Sequence, residues 1–132
     1  MIVVDTNVIA YLFLKGEYNQ NAEKLLKSDS DWSVPILWRS ELRSILTLYL
    51  RKNLITLNQS YEIIQESHKL LKGNEYTIDS LQLLEEINKS TLSAYDLEFV
   101  VLAKTLKTKL VTLDEKIIKE YPRLAVSLKN LK

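Results

Sequence analysis

Cysteine is absent from the chain, and histidine occurs once, at position 68. Disulfides and thiolate metal sites are therefore excluded, and a reducing compartment is the natural home. Glycine occurs only twice, so Gly16 and Gly73 cannot build a phosphate-cradling P-loop. No apolar run approaches the ~18 residues of a membrane span, and the first turns carry no basic segment of a secretory signal. Net charge is +1, and the sequence pI of about 7.8 lies below the ~9 that marks strongly basic nucleic-acid-binding domains. Bulk charge thus names no partner. A nucleic-acid surface would have to come from local groups such as Lys104, Lys107 and Lys109, or Arg39, Arg43, Arg51 and Lys52, which read equally well as solvated helix faces. These absences lead to the expectation of a cytoplasmic protein without membrane association.

What is present describes an ordinary globular chain. Hydrophobic residues make up 46% and charged residues 27% of 132 positions, enough apolar material for one core. With no internal repeat, low-complexity tract or linker, residues 1–132 are expected to form a single domain. Short β-rich runs at 2–4, 32–36, 75–78, 110–113 and, more weakly, 124–128 alternate with helical stretches. Trp38, Leu42, Ile45 and Tyr49 form one helical stripe. Further helices are expected over 8–13, 59–71, 81–87, around Leu97 to Lys104, and from Glu115 to a stop at Pro122. Thr56 and Gln59 have the spacing of a capping box, and Asp79 with Gln82 a looser version. Gly16 and Gly73 each follow a lysine and are expected to close helices. Strands alternating with helices predict a parallel sheet covered on both faces. In such sheets ligands bind outside the carboxyl ends of the strands, near the point where strand order reverses.

That rule singles out four acids. Asp5 follows the first strand directly, and Asp114 ends Leu110-Val111-Thr112-Leu113 in the same way. Asp96 lies in Ser93-Ala94-Tyr95-Asp96, in the first turn of the helix through Phe99. Glu41 lies in Trp38-Arg39-Ser40-Glu41-Leu42, one turn into the helix after the second strand. Each also has a structural role open to it. Asp5 and Asp114 make good N-caps, Ser93 with Asp96 resembles a capping box, and Glu41 borders an apolar stripe. Gathered on one edge, four carboxylates would repel and raise one another's pKa values unless cations compensate. Magnesium or manganese suits such an all-oxygen set. His68, in a charged helix, reads as solvent-facing.

These residues resemble a known family. Asp5-Thr6-Asn7, Ser40-Glu41-Leu42, Tyr95-Asp96 followed by Phe99-Val100 and Leu102-Ala103, and Leu110-Val111-Thr112-x-Asp114 look like the PIN-domain nucleases. Within that family the likeness is to the VapC-type ribonuclease toxins of toxin–antitoxin pairs, and it runs from Ile2 to about Leu128. The resemblance implies a three-layer α/β/α sandwich with a short central parallel sheet. It implies Asp5, Glu41, Asp96 and Asp114 as metal-binding acids, with Asn7 and Thr112 supporting them, and one or two Mg2+ or Mn2+ ions as cofactor. Such ions supply the activated water and charge stabilisation of phosphodiester hydrolysis, so no catalytic His or Ser is required. Thr112 stands two residues before Asp114, which in a strand puts both side chains on one face. The implied partners are an RNA substrate (tRNA, rRNA or mRNA) and a small antitoxin protein, with a homodimer expected. Apolar residues crowd the 38–57 region, including Trp38, Leu46, Leu48, Leu50 and Leu54, which suits either a groove or dimer contact or deeper burial.

Other assignments stay in view. A haloacid-dehalogenase-type phosphatase needs a second aspartate where Asn7 stands, and a phospho-receiver domain needs an aspartate that 52–62 lacks. A PIN-like module that binds RNA or protein without cutting, and an RNA-processing PIN nuclease outside any toxin system, are the remaining alternatives. Glu98, two residues beyond Asp96, points to a different helix face and reads as solvated, with the rim of the site as its alternative. Arg39 and Arg43 flank Glu41 and serve either RNA phosphates or the bare surface.

Overall fold

The computed structural model describes residues 1–131. Five strands form one parallel sheet: β1 (Ile2–Val4), β2 (Trp32–Pro35), β3 (Glu75–Tyr76), β4 (Leu110–Thr112) and β5 (Ala125–Ser127), in the order β3-β2-β1-β4-β5. Seven α-helices accompany them among the described residues: α1 (Thr6–Phe13), α2 (Asn19–Ser28), α3 (Trp38–Arg51), α4 (Leu57–Leu70), α5 (Ser80–Asn88), α6 (Ala94–Leu106) and α7 (Glu115–Glu120). The expected α/β/α sandwich is therefore the observed one. None of the described helices is long and apolar enough to cross a membrane.

The sheet is parallel because consecutive strands are joined through at least one helix, and a parallel return needs a crossover. β1 sits in the middle with both faces covered, so Val3 and Val4 are fully buried and the strand reads as an unbroken aliphatic run. α6 packs on β1, β2 and β4, while α1 packs on β4 and carries α2 and α3. That placement explains α6's nearly continuous burial from Leu97 to Ala103. Trp32, Trp38 and Phe99 are the largest side chains in the core.

Caps are more legible than ends. Thr56 and Gln59 form the full reciprocal box at the start of α4, and Asp79 accepts from the Gln82 amide at the start of α5. Gly73 lies past α4 with φ at +83°, a conformation that costs a side chain dearly. Gly16 has a different reason to be glycine. It is not left-handed, but a Cβ there would stand 2.6 Å from Cε1 of the Tyr11 ring. Two helices instead close on non-glycine residues in the left-handed region, Asn53 after α3 and Lys107 after α6. The expected strand over 75–78 shortens to two residues and that over 124–128 to three, with a 3-10 turn at Leu128–Asn130.

α2 lacks the periodicity that flags the others, since Ala22, Leu25 and Leu26 are its only apolar residues. It forms because Ala22 and Leu25 are buried against α1. His68 is not a free surface residue. Its ring meets the Trp38 ring edge-on at 5.4 Å between centroids. The apolar 38–57 region divides: Trp38 and Leu46 are buried, Leu50 is half-buried, and Leu48 and Leu54 are exposed. Trp38, Leu42, Leu46, Leu50, Tyr61 and Ile64 line a cavity of about 370 Å³ between α3 and α4.

Candidate active site at the carboxyl edge of the sheet

Strand order reverses between β1 and β4, which pair Val3 with Leu110 and Val4 with Val111. The Asp5 amide continues the ladder by donating to the Val111 carbonyl at 2.9 Å. One step further along that register, the Asp5 and Thr112 side chains are neighbours, and Thr112 Oγ1 donates to Asp5 Oδ2 at 2.7 Å. The same hydroxyl oxygen accepts the Asp114 amide at 3.0 Å. Asp5 Oδ1 accepts the Thr6 amide at 2.8 Å, so Asp5 caps α1 and faces the sheet edge at once. Its side chain is almost wholly withdrawn from solvent, and the residue is 8% exposed.

Glu41 reaches the same place from α3. Thr6 Oγ1 donates to Glu41 Oε1 at 2.7 Å. Thr6 thus ties the Asp5 backbone turn to Glu41, a role that its position inside Asp5-Thr6-Asn7 does not announce. Asp114 caps α7 through Oδ1, which accepts the amides of Lys116 at 2.9 Å and Ile117 at 3.4 Å. Asp96, in the first turn of α6, has its amide held by Ser93 Oγ at 3.1 Å. The structural roles open to Asp5 and Asp114 are therefore filled without moving them from the edge. Asn7 is exposed, at the second position of α1.

Electrostatics show which acids are neighbours. Burial pushes the Asp5 carboxyl above the ordinary range; hydrogen bonds from Thr112 and Thr6 oppose the rise, and the charges of Asp96 and Asp114 add to it. Burial likewise raises Glu41, against the pull of the Thr6 hydrogen bond, with Asp5, Asp96 and Glu98 contributing repulsion. Asp96 is raised by burial and then by Asp114, while its Ser93 hydrogen bond and Lys116 act the other way. Glu98 is half-buried and raised by desolvation, and its charge adds to the rise at Glu41, so it is not the fully solvated residue expected. Among the described residues, none of these five acids forms an ion pair.

Arg39 is not available to the cluster. Its Nε and Nη2 grip the two Glu75 oxygens at 2.6 and 2.7 Å, and Trp38 Nε1 donates to the same carboxylate. Arg43 donates to Ser40 Oγ at 3.0 Å. Lys104 is bound to Glu86, and Lys109 to the Arg123 carbonyl. Lys109 immediately precedes β4, so the 104–109 basic group lies toward the amino ends of the strands, away from the acids.

The donor set suits a hard divalent cation in kind: it is all oxygen, partly desolvated, mutually repelling and without a bonded Lys or Arg. Among the described residues no three His, Asp or Glu side chains already stand as a ready-made metal-binding group. A cation would therefore complete the cluster rather than enter a finished cage.

Comparison with known proteins places the chain among relatives of the same fold. The chain is 25% identical to ribonuclease VapC3 of Pyrobaculum aerophilum over 126 residues, covering 93% of this chain and 96% of the relative. The crystal structure of FitAcB from Neisseria gonorrhoeae superposes with a TM-score of 0.76 at 19% identity, covering 99% of this chain and 100% of that one. The structure of FitAB bound to an IR36 DNA fragment gives 0.76 at 18% identity, covering 100% and 98%. These two show the shared fold. The PIN domain family pattern matches residues 2–124, and the chain belongs to the PIN domain family.

Proposed function

We propose that this protein is a metal-dependent endoribonuclease that hydrolyses RNA phosphodiester bonds, acting as the toxin of a type II toxin–antitoxin pair. The observation that carries the reading is the buried Asp5 carboxylate, oriented by Thr112 at the strand-order switch and surrounded by the unpaired acids Glu41, Asp96 and Asp114. A structural protein gains nothing from holding repelling carboxylates together. Asp5, Glu41, Asp96 and Asp114 would hold one or two Mg2+ or Mn2+ ions, which supply activated water and stabilise charge on the leaving oxygen. Thr112 fixes the Asp5 carboxylate, and Thr6 fixes Glu41. Asn7, exposed in the first turn of α1, would support these acids. RNA as substrate is supported by the likeness to ribonuclease VapC3. A small antitoxin partner and a homodimer belong to the same reading, and the apolar cavity between α3 and α4 offers a seat for a protein segment.

The test is cleavage of total tRNA and rRNA by wild type, Asp5→Asn and Asp96→Asn, each with magnesium, manganese or excess EDTA. Cutting by wild type that disappears in both folded variants and in EDTA is the expected result. Cleavage that persists in the variants removes the catalytic assignment. Folded wild type that leaves all RNA intact favours a binding module.

A further inference from the structure

Beyond the acid cluster, the Asp96 wall continues into an open cleft of about 770 Å³ between the start of α6 and α7. Its rim carries Thr91, Ser93, Asp96, Lys116, Lys119 and Glu120. Two of these polar groups are already engaged with each other. The Thr91 amide and hydroxyl donate to the two Glu120 oxygens at 3.0 and 2.9 Å. Ser93 Oγ is taken by the Asp96 amide. Lys116 and Lys119 are both exposed and, among the described residues, make no ion pair. They stand three apart on α7, so their side chains rise from one face of the helix.

We propose that this cleft is the path of the RNA strand leaving the cleavage site, with Lys116 and Lys119 holding the phosphates next to the scissile one. The inference rests on the nuclease reading above and extends it to how the substrate is held. A chain of phosphates is repelled by the acid cluster at every position except one neutralised by a cation. It therefore needs positive charge immediately outside that cluster. Arg39 and Lys104 are consumed by Glu75 and Glu86. Lys116 and Lys119 share a cleft with a site acid, Asp96, and stand on α7, the helix capped by the site acid Asp114. Bonds of this kind position the strand and carry no base information, so they predict affinity without sequence preference. Both lysines are positioning residues.

The probe is fluorescently labelled bulk tRNA, titrated with wild type, Lys116→Ala, Lys119→Ala and the double variant in EDTA over a salt series. Lys24→Ala with Lys27→Ala, on α2, serves as the remote control. Binding should weaken several-fold in the double variant. The slope of log affinity against log salt should fall by about 0.7 for each phosphate no longer neutralised by a lysine, and Lys→Arg should restore it. The control should match wild type. In magnesium, Lys119→Ala should raise KM with little change in kcat. Unchanged slope and KM, while wild type binds and cuts, would overturn the cleft assignment and leave the nuclease standing. Wild type that neither binds nor cuts tRNA would remove both. Alanine at these two positions leaves the α7 cap, made by backbone amides, untouched, and matching thermal unfolding curves verify the fold.

Discussion

The Thr112 hydroxyl bridges two acids of the site, donating to Asp5 Oδ2 at 2.7 Å and accepting the Asp114 amide at 3.0 Å. Valine at this position keeps the shape and the β-branch but removes both bonds. The bond from Thr112 is the strongest influence holding the Asp5 carboxyl down against burial. Its loss therefore raises Asp5 further and leaves a buried acceptor unpaired, which costs about 1–3 kcal/mol. Thr112→Val is expected to lose that much stability in urea and to shift the acid limb of the cleavage profile to higher pH. Thr112→Ser should recover most of both. An acid limb that does not move in Thr112→Val would separate Thr112 from the chemistry.

In β2, Ser33 pairs in register with Val3 and is 1% exposed, and its hydroxyl meets no hydrogen-bond partner among the described residues. A buried hydroxyl without a partner is a desolvation cost with nothing returned. Ser33→Ala is expected to stabilise the fold by about 1 kcal/mol, read as a higher urea midpoint with an unchanged slope. A loss of stability would mean that the hydroxyl is satisfied in solution.

The contrast between Asp5 and Thr6 shows what the chain's pattern reveals and what it hides. Strand ends follow from apolar runs, and parallel connections send those ends to one edge, so pattern alone places Asp5 and Asp114. Glu41 and Asp96 follow from their position in the first turns of α3 and α6. Thr6 does not, because its bond to Glu41 depends on how α3 packs on α1, and packing partners leave no periodic trace. Arg39 is hidden for the same reason: Glu75, its partner, lies 36 residues away on β3. The charged neighbours of His68 in sequence suggest solvation, yet Trp38 comes to it from another helix. α2 is silent since three apolar residues suffice once a neighbouring helix covers them.

Glu86 is 6% exposed and joins three elements. It accepts from Lys104 Nζ at 2.8 Å and from Tyr121 Oη at 2.6 Å. Burial and this bond to Glu86 push the Tyr121 hydroxyl up to about 12. Tyr121→Phe removes one donor and leaves Lys104 in place, so the expected cost is about 1 kcal/mol with RNA cleavage unaffected. Absorbance titration at alkaline pH should lose an ionisation near 12 in the variant. A variant as stable as wild type would show that Glu86 is satisfied by Lys104 alone.

Asp5, Glu41 and Asp96 hold their protons more tightly in the folded chain than carboxyls ordinarily do. Between the ordinary values, 3.8 for aspartate and 4.5 for glutamate, and the higher folded ones, native protein binds more protons than unfolded chain. Stability therefore falls as pH rises through that window. The contribution of these acids is fully present below the ordinary values and is lost above the folded ones. Asp29, Glu75 and Glu86 are lowered and act oppositely, their contribution disappearing as pH falls through their folded values. The wild-type curve mixes both, but its difference from Asp5→Asn isolates one group. Asparagine keeps the shape and cannot ionise. The variant should therefore gain on wild type steadily as pH rises from 3.8 until the folded Asp5 carboxyl has ionised. A cation held by the acids offsets the same cost, which is burial of the carboxylates first and their mutual repulsion second. Magnesium at about a hundred times its dissociation constant would stabilise wild type by about 2.7 kcal/mol, and the shift should shrink in Asp5→Asn. Denaturation curves in EDTA and in magnesium measure both effects. Parallel curves at every pH, with no magnesium shift in wild type, would remove the case that Asp5 is held ionised at a cost that a metal relieves.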